Sequence, residues 1–353
     1  MPEDSHPGVY VEETGGARTI EGVPTGTAGF VGRARRGPLD PTPVTSVAEF
    51  EATFGGLTDP AMSCLPWAVR GFFDNGGRKA WIARVTGDGR AALGALEGIE
   101  DIALVCAPDA VGKGALGRLG DDLLAHCERR RDRFAVVQFA QRDADPRVAR
   151  ASGFAAAYWP WLRVADPRAP GATRLVPPGG HVLGVLARTD VAKVPRGAKV
   201  RGVLGVVLDA APAQRDALTA RGINVLRAEG GSVRVWGGRT TSQDQEWKHV
   251  NVRRLLIFLE ASIDRGLQWV VFEPNDQPTW SAVRRTVTNF LFGVWKDGAL
   301  VGTTPDEAFF VRCDRTTTTQ DDIDNGRLVC VVGVAPLKPA EFVIFRIGAA
   351  TCR

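Results

Sequence analysis

Between Lys79 and Ala140 three apolar runs, Lys79 to Val85 (KAWIARV), Ile102 to Ala107 and Phe134 to Ala140 (FAVVQFA), flank a helical pattern. That pattern, Leu116 to Arg131, carries Leu119, Leu123 and Cys127 four residues apart. Short apolar runs read as strands, and parallel strands need a crossover of helical length between them. The alternation therefore commits this part of the chain to a parallel sheet covered by helices, a mixed α/β fold. Upstream, Ser46 is placed to cap a helix through Phe54. Pro60 to Asp74 reads as a second helix stopped by Asn75-Gly76-Gly77.

Downstream, Ala165 to Gly180 is rich in Pro and Gly and reads as a loop, with a helix from about His181. Gly222 to Arg227 and Val233 to Trp236 read as short strands. Asn251 is a candidate cap for a helix carrying Val252, Leu255, Leu259 and Ile263 at helical spacing, ended by Gly266. Gln268 to Glu273 (QWVVFE) reads as a strand. Thr279 is a candidate cap for a helix with Val283, Val287, Phe290, Leu291 and Val294 on one side, ended by Gly298. Ala308 to Cys313 and Leu328 to Val334 complete the strands before the C-terminal segment. With 353 residues, 44% of them apolar, the chain can fill more than one packed domain.

The two ends differ from the middle. Pro7 to Glu13 (PGVYVEE) and Arg18 to Pro24 (RTIEGVP) alternate like short strands, yet Gly and Pro break them up. They have too little apolar surface to stand alone, so residues 1–45 read as an extended arm and linker. At the other end, Ala340 to Ile347 (AEFVIFRI) follows Pro336 and Pro339. Phe342 and Ile344 fall on one face, and Val343, Phe345 and Ile347 on the other. A strand apolar on both faces must be buried on both faces.

Composition narrows the function. A net charge of +4, with no Lys/Arg block interleaved with aromatics, gives no nucleic-acid footprint. No apolar run reaches the roughly 18 to 20 residues of a membrane helix, and Met1-Pro2-Glu3-Asp4-Ser5 does not open a secretion signal, so folding in the cytoplasm is expected. The six cysteines, at 64, 106, 127, 313, 330 and 352, form no Cys-x-x-Cys and read as reduced small hydrophobes. Gly112-Lys113-Gly114 lacks the spacing of a phosphate loop, and no Gly-x-Ser-x-Gly occurs. The histidines at 6, 126, 181 and 249 are far apart. Tyr158-Trp159-Pro160-Trp161 reads as the buried end of a strand. The acidic stretch TTTTQDDIDNGR (Thr316 to Arg327) fails the calcium-loop pattern, because Ile323 and Val332 fall where oxygen ligands belong. It reads as a polar connection with an Asn325-Gly326 turn. No catalytic residue, metal ligand or cofactor site is expected.

Longer segments carry a resemblance. GINVLRAEGGSVRVWGGRTTS, EWKHVNVRRLLIFLEASIDRGLQWVVFEPND, and the run from Phe309 through TQDDIDNGR to GVAPLKPAEFVIFRI resemble the tail sheath proteins of contractile phages and contractile injection systems. The N-terminal PGVYVEE and LPWAVRGFFDNGGRKAWIARV resemble the same family, and the match is weakest over residues 88–150. The resemblance implies a compact sheath beside phage sheaths that carry large outer domains, similar to the sheaths of extracellular injection particles.

The resemblance implies a sheath-type core whose N- and C-terminal arms exchange strands between subunits. It divides the chain into an arm and linker (1–45), an N-terminal α/β part (46–165), a C-terminal sheath domain (166–335) and a C-terminal arm (336–353). The exchanged strands would carry Val9, Tyr10 and Val11 at one end, and Phe342, Val343, Ile344, Phe345 and Ile347 at the other. The implied partners are copies of the chain itself in six-fold rings, an inner tube protein, and baseplate and terminator or cap proteins; nucleic acid and membrane insertion are not among them. Assembly in the bacterial cytoplasm follows, in a phage tail or a released tail-like particle. On the last long helix, Arg284, Arg285, Lys296 and Asp297 are candidates for the tube contact, since solvated ion pairs release easily. Two other classes fit parts of the pattern. The β-α-β alternation suits a doubly wound enzyme, and the arms suit another shell-type assembly protein.

Overall fold

The computed structural model describes residues 19–338 apart from 112–115, 117 and 142. The expected exchange strands around Val9–Val11 and Phe342–Ile347, and the Gly112-Lys113-Gly114 segment, lie outside the described residues. Along the chain, β1 (Ala28–Gly32) and β2 (Thr42–Val44) precede α1 (Val47–Phe54) and α2 (Leu65–Asp74). There follow β3 (Ala80–Arg84), α3 (Arg90–Ala95), β4 (Leu104–Cys106), α4 (Leu119–Arg130), β5 (Phe134–Gln138), β6 (Ala155–Trp159), β7 (Leu162–Ala165) and β8 (Thr173–Val176). Next come α5 (Gly179–Arg188), β9 (Lys199–Val200), β10 (Gly205–Val206), α6 (Pro212–Ala220), β11 (Ile223–Glu229) and β12 (Ser232–Val235). The C-terminal part holds α7 (Val250–Gly266), a 3-10 turn (Gln268–Phe272), α8 (Gln277–Lys296), α9 (Pro305–Ala308), β13 (Phe309–Arg312), α10 (Gln320–Asp324) and β14 (Val331–Val334).

The main sheet runs β2-β3-β1-β4-β5-β6-β11-β12-β9. Its middle, β3-β1-β4-β5-β6-β11, is parallel throughout, as the alternation of apolar runs and helices requires. Helices α1, α2 and α5 cover one face, and α3 and α4 the other. The Tyr158-Trp159-Pro160-Trp161 segment is buried as expected, with the Trp159 indole donating to Asp143 O at 2.7 Å and the Trp161 indole to Phe139 O at 2.8 Å.

Several expectations are corrected. The arm cannot extend to residue 45, because β1 is buried over its whole length and pairs with both β3 and β4 in the middle of the sheet. Gly29 and Gly32 are there to admit neighbours. A Cβ on Gly29 would stand 3.2 Å from Leu96, and one on Gly32 would stand 3.0 Å from Leu65 and Asp109. Residues 19–24 form no strand. Instead Ile20 packs at Gly266, Val23 N–H donates to Ser262 Oγ at 3.1 Å, and Arg254 donates to Thr25 O at 3.2 Å, so this segment lies along α7. The 165–180 loop contains β8, paired with β7. Helix α2 begins at Leu65, since Asp59 and Pro60 open a separate turn.

The caps also differ. His249, not Asn251, precedes α7, and Asp276, not Thr279, caps α8 by accepting from Thr279 N at 3.0 Å. Asn251 is buried inside the helix, where its side-chain amide donates to Ala192 O and Leu337 O. The QWVVFE strand is a 3-10 turn, with Val270 N–H on Leu267 O at 2.9 Å and Glu273 N–H on Val270 O at 3.0 Å. Strand propensity needs a partner to become a strand, and among the described residues none reaches this segment.

Two buried histidines give a first expected outcome. Burial lowers both His126 and His181 to about 4. For His126, the Arg133 guanidinium at 3.3 Å and Arg129 reinforce burial, while Glu97 and Asp132 oppose it. Because the folded pKa is depressed, the unfolded chain binds more protons between pH 4 and 6.5. The neutral imidazoles therefore support the fold fully above about pH 6.5, and that support is lost as the pH falls toward 4. Asp74 and Asp109, whose carboxyls are raised by burial, act with the opposite sign, but they rise from an ordinary value well below that of histidine. Between pH 6.5 and 5 the melting temperature should drop by roughly 5 °C. His126→Gln should weaken that slope, which thermal melts across pH would read directly; a melting temperature independent of pH over this range would refute the reading.

Candidate assembly surface

The C-terminal part has its own core. Leu255 and Leu259 of α7 meet Trp280, Val283, Val287, Leu291 and Val294 of α8, with Phe309 of β13 closing one side. Strands β13 and β14 form a two-stranded antiparallel sheet over these helices, in register from Phe309↔Val334 to Arg312↔Val331. Among the described residues each pairs only with the other. Two strands alone are marginal, and open edges invite another strand.

Among the described residues, none fills the space beneath the sheet. Leu328, Cys330, Val332 and Val334, alternate residues and so on one face, look toward Leu259 and Ile263 of α7 and Leu267 just after it across an open groove of about 570 Å³. Its rim carries Glu260, Asp264 and Gln268. Beside it Val271 and Phe272 of the 3-10 turn are 76% and 90% exposed, and Val331 and Phe310 project from the sheet itself. Apolar surface of this extent around a sheet with open edges has the geometry of an acceptor for an extended segment.

The acidic stretch joins the two strands and folds as α10. Thr319 caps it by accepting from Asp322 N, and the Asp322 carboxylate in turn accepts from Thr319 N at 3.0 Å, a reciprocal capping box. Arg327 then donates to Asp322 at 2.9 Å and to Asp321 at 2.5 Å, and Gln320 donates to Asp324 at 2.8 Å. The hydrogen bonds from Thr319, with Arg327 beside them, lower the Asp322 carboxyl to about 2. Gly326 adopts φ +68° and turns the chain toward β14. The acids thus fasten this connection to itself, which agrees with their reading as structural.

Arg284, Arg285, Lys296 and Asp297 are all exposed. The helix does not align them as one group. Arg285 and Lys296, eleven residues and about 16 Å apart, share a line with Asn289 and Phe292. Arg284 lies roughly 100° around the helix from Arg285, close enough to Asp314 to help lower its carboxyl. Lys296 Nζ sits 5.2 Å from the centre of the Phe292 ring.

A doubly wound enzyme would take its ligand where the strand order reverses, here beside the carboxyl ends of β1 and β4. Asp109 occupies that crevice. Its carboxylate accepts from Arg33 N at 2.7 Å, Cys64 N at 2.5 Å and Ser63 Oγ at 3.4 Å, so it ties the turn after β1 to the start of α2. Burial raises its pKa, and these hydrogen bonds oppose the rise.

Residues 85–241 match the model of the phage tail sheath protein central domain, and residues 242–350 match that of the phage tail sheath C-terminal domain. The chain belongs to the phage tail sheath protein family. Its structure is similar to a chain in the six-fold symmetrised baseplate of the anti-feeding prophage, with TM-score 0.81 and 30% identity over 98% of this chain and 99% of that one. It is equally similar to the helical sheath of the same system in its contracted state, with TM-score 0.81 and 29% identity, again over 98% and 99% of the two chains. The tail sheath protein of Vibrio phage KVP40 is 30% identical over 188 residues, which is 50% of this chain but only 27% of that protein's length. Within the sheath family fold, the sequence marked the β13 and β14 strands and the α8 stripe. It did not mark the groove, whose lining comes from α7, the 3-10 turn and β14 together.

Proposed function

We propose that this chain is the structural subunit of a contractile sheath, which polymerises as hexameric rings around an inner tube and shortens to drive the tube through a target envelope. The observation that carries this reading is the half-covered groove under the β13–β14 sheet, in a chain similar over 98% of its length to a helical sheath. In this reading the groove and the sheet edges accept the arms of neighbouring subunits. The strand with Val9, Tyr10 and Val11 comes from one neighbour, and that with Phe342, Val343, Ile344, Phe345 and Ile347 from another. Backbone pairing gives affinity, and alternate side chains entering the apolar groove give register. Rings joined in this way stay tethered while their rigid cores rotate and slide. The subunit would assemble in the bacterial cytoplasm on a baseplate and tube and be capped by a terminator protein.

The tube contact falls on the exposed edge of α8, with Arg285 and Lys296 in line and Arg284 and Asp297 flanking. Each solvated charge contributes only ~0 to 1 kcal/mol, so the contact holds the extended state without preventing release. Electron micrographs of the full chain, made alone and together with tube and baseplate, test the reading. The chain alone should give hollow tubes of contracted lattice. Arg285→Glu with Lys296→Glu should leave these tubes intact and reduce extended particles at least tenfold. Isolated monomers, closed shells or flat sheets from the unaltered chain would overturn the sheath reading, and an unchanged yield of extended particles would remove α8 from the tube contact.

A further inference from the structure

The β13–β14 ladder ends at a pair of thiols. Ala335 N–H donates to Ala308 O at 2.8 Å, which makes Ala308/Ala335 a hydrogen-bonded pair. Hydrogen-bonded and non-hydrogen-bonded pairs alternate along an antiparallel ladder. Counting through Phe309↔Val334, Phe310↔Gly333, Val311↔Val332 and Arg312↔Val331, the next position, Cys313 opposite Cys330, is non-hydrogen-bonded. There the Cα atoms stand about 4.5 Å apart and side chains are closest, inside the ~4.4–6.8 Å range that a disulfide spans. Both cysteines are free, and the ladder register sets their side chains side by side on one face of the sheet. Cys313 is buried, whereas Cys330 is half-buried and lines the open groove. One sulfur is therefore reachable by a small molecule, with its partner already in place behind it.

We propose that Cys313 and Cys330 are a redox-responsive pair that closes to a cross-strand disulfide on meeting a low-molecular-weight disulfide oxidant, locking the two strands that border the groove. The Cys330 thiolate, whose ionisation the neighbouring Cys313 eases, attacks one sulfur of the oxidant, whose S–S bond breaks and releases one thiolate. Cys313 then loses its proton and attacks the Cys330 sulfur of the mixed disulfide, expelling the second thiolate. The protein gives up two electrons and two protons, and the two released thiolates take them up as thiols. The new bond closes the segment from Cys313 to Cys330, which contains α10 and its capping box. In a reducing cytoplasm the pair stays open; in an oxidising medium it closes. That the locked hairpin is the arm acceptor rests on the sheath reading above. The bond itself does not, because it forms within one subunit.

The test uses the full chain carrying Cys352→Ser, incubated in glutathione buffers from reduced to oxidised and then alkylated and digested for mass spectrometry. A linked pair of peptides containing Cys313 and Cys330 should appear with the loss of two hydrogens, and should be absent from Cys330→Ser. Cys64, Cys106 and Cys127, buried and held protonated by burial, should remain alkylatable only after unfolding. Amide exchange in β13 and β14 should slow on the order of 100-fold in the oxidised form, the effect of cross-linking a loop of this length. A glutathione adduct that persists on Cys330 while Cys313 stays a thiol would overturn the proposal, as would two free thiols in oxidised buffer. A subunit that closes the bond but never polymerises would uphold the thiol pair and refute the sheath reading.

Discussion

Removal of Glu341 to Arg353 is expected to leave a folded, soluble subunit that no longer forms tubes. Every apolar cluster of the described fold is built from residues that end at Val334, so the truncated chain keeps every described member of these clusters. The melting temperature should stay within about 3 °C of the full chain, the shift of roughly 1 kcal/mol in a domain of this size. Assembly should respond very differently. AEFVIFRI is apolar on both faces, and the β13–β14 sheet offers open edges above an apolar groove. Strand addition pairs backbone and side chains together, so its loss should lower polymer yield by at least a hundredfold rather than shorten the tubes. Sedimentation, circular dichroism and electron micrographs of the truncated chain would read both halves. Tubes of ordinary length from this chain would rule out donation by the C-terminal strand.

Gly180→Val should destroy the fold itself. Helices α2 and α5 cross with their backbones in contact. A Cβ on Gly180 would stand 2.2 Å from Ala68 O and 2.4 Å from Ala68 Cα, and one on Gly184 would meet Phe72 O at 2.4 Å. Gly71 likewise admits the His181 ring, 2.4 Å from its own missing Cβ. Main chain cannot swing aside as a side chain can, so the two helices would have to part by more than an ångström. That would open the core they share, in which Val69, Phe72, Val182 and Leu186 are buried. Overpacking usually costs about 1–3 kcal/mol; backbone against backbone should exceed ~4 kcal/mol, enough to leave most of the chain insoluble or melting more than 10 °C lower. Gly94→Ala supplies the comparison. Gly94 is exposed on α3 with nothing within 4 Å of its missing Cβ, so alanine should be neutral or slightly stabilising through helix propensity. A Gly180→Val subunit that melts with the unaltered chain would show that the α2–α5 contact can relax.

What the sequence alone determined was local and periodic. Strands β3, β4 and β5 and helix α4 were legible because each carries its apolar residues at its own period. The start of α1 was legible because Ser46 accepts from Glu49 N, as its sequence position suggested. The stops at Asn75 and Gly266 were legible for the same local reason. The long segments that resemble sheath proteins carried the family and, through it, the function.

What only the tertiary structure decided depended on neighbours distant in sequence. AGFVG, broken by two glycines, looks like linker; it is an inner strand of the sheet because Leu96 and Ile102 fill the space that Gly29 leaves, and Leu65 and Asp109 the space that Gly32 leaves. QWVVFE has every local mark of a strand, yet it closes into a 3-10 turn, since a strand is made by hydrogen bonds to a partner and a helical turn by bonds within itself. Arg284 and Arg285 are adjacent in sequence, but the pitch of α8 sends one toward Asp314 and aligns the other with Lys296. The groove is the largest case. Its walls come from segments up to 78 positions apart, Leu256 to Val334, and each of those residues reads as ordinary core in its own segment. A vacancy between packed elements leaves no periodicity in any one of them, so it became visible only when the helices and the two-stranded sheet were set side by side.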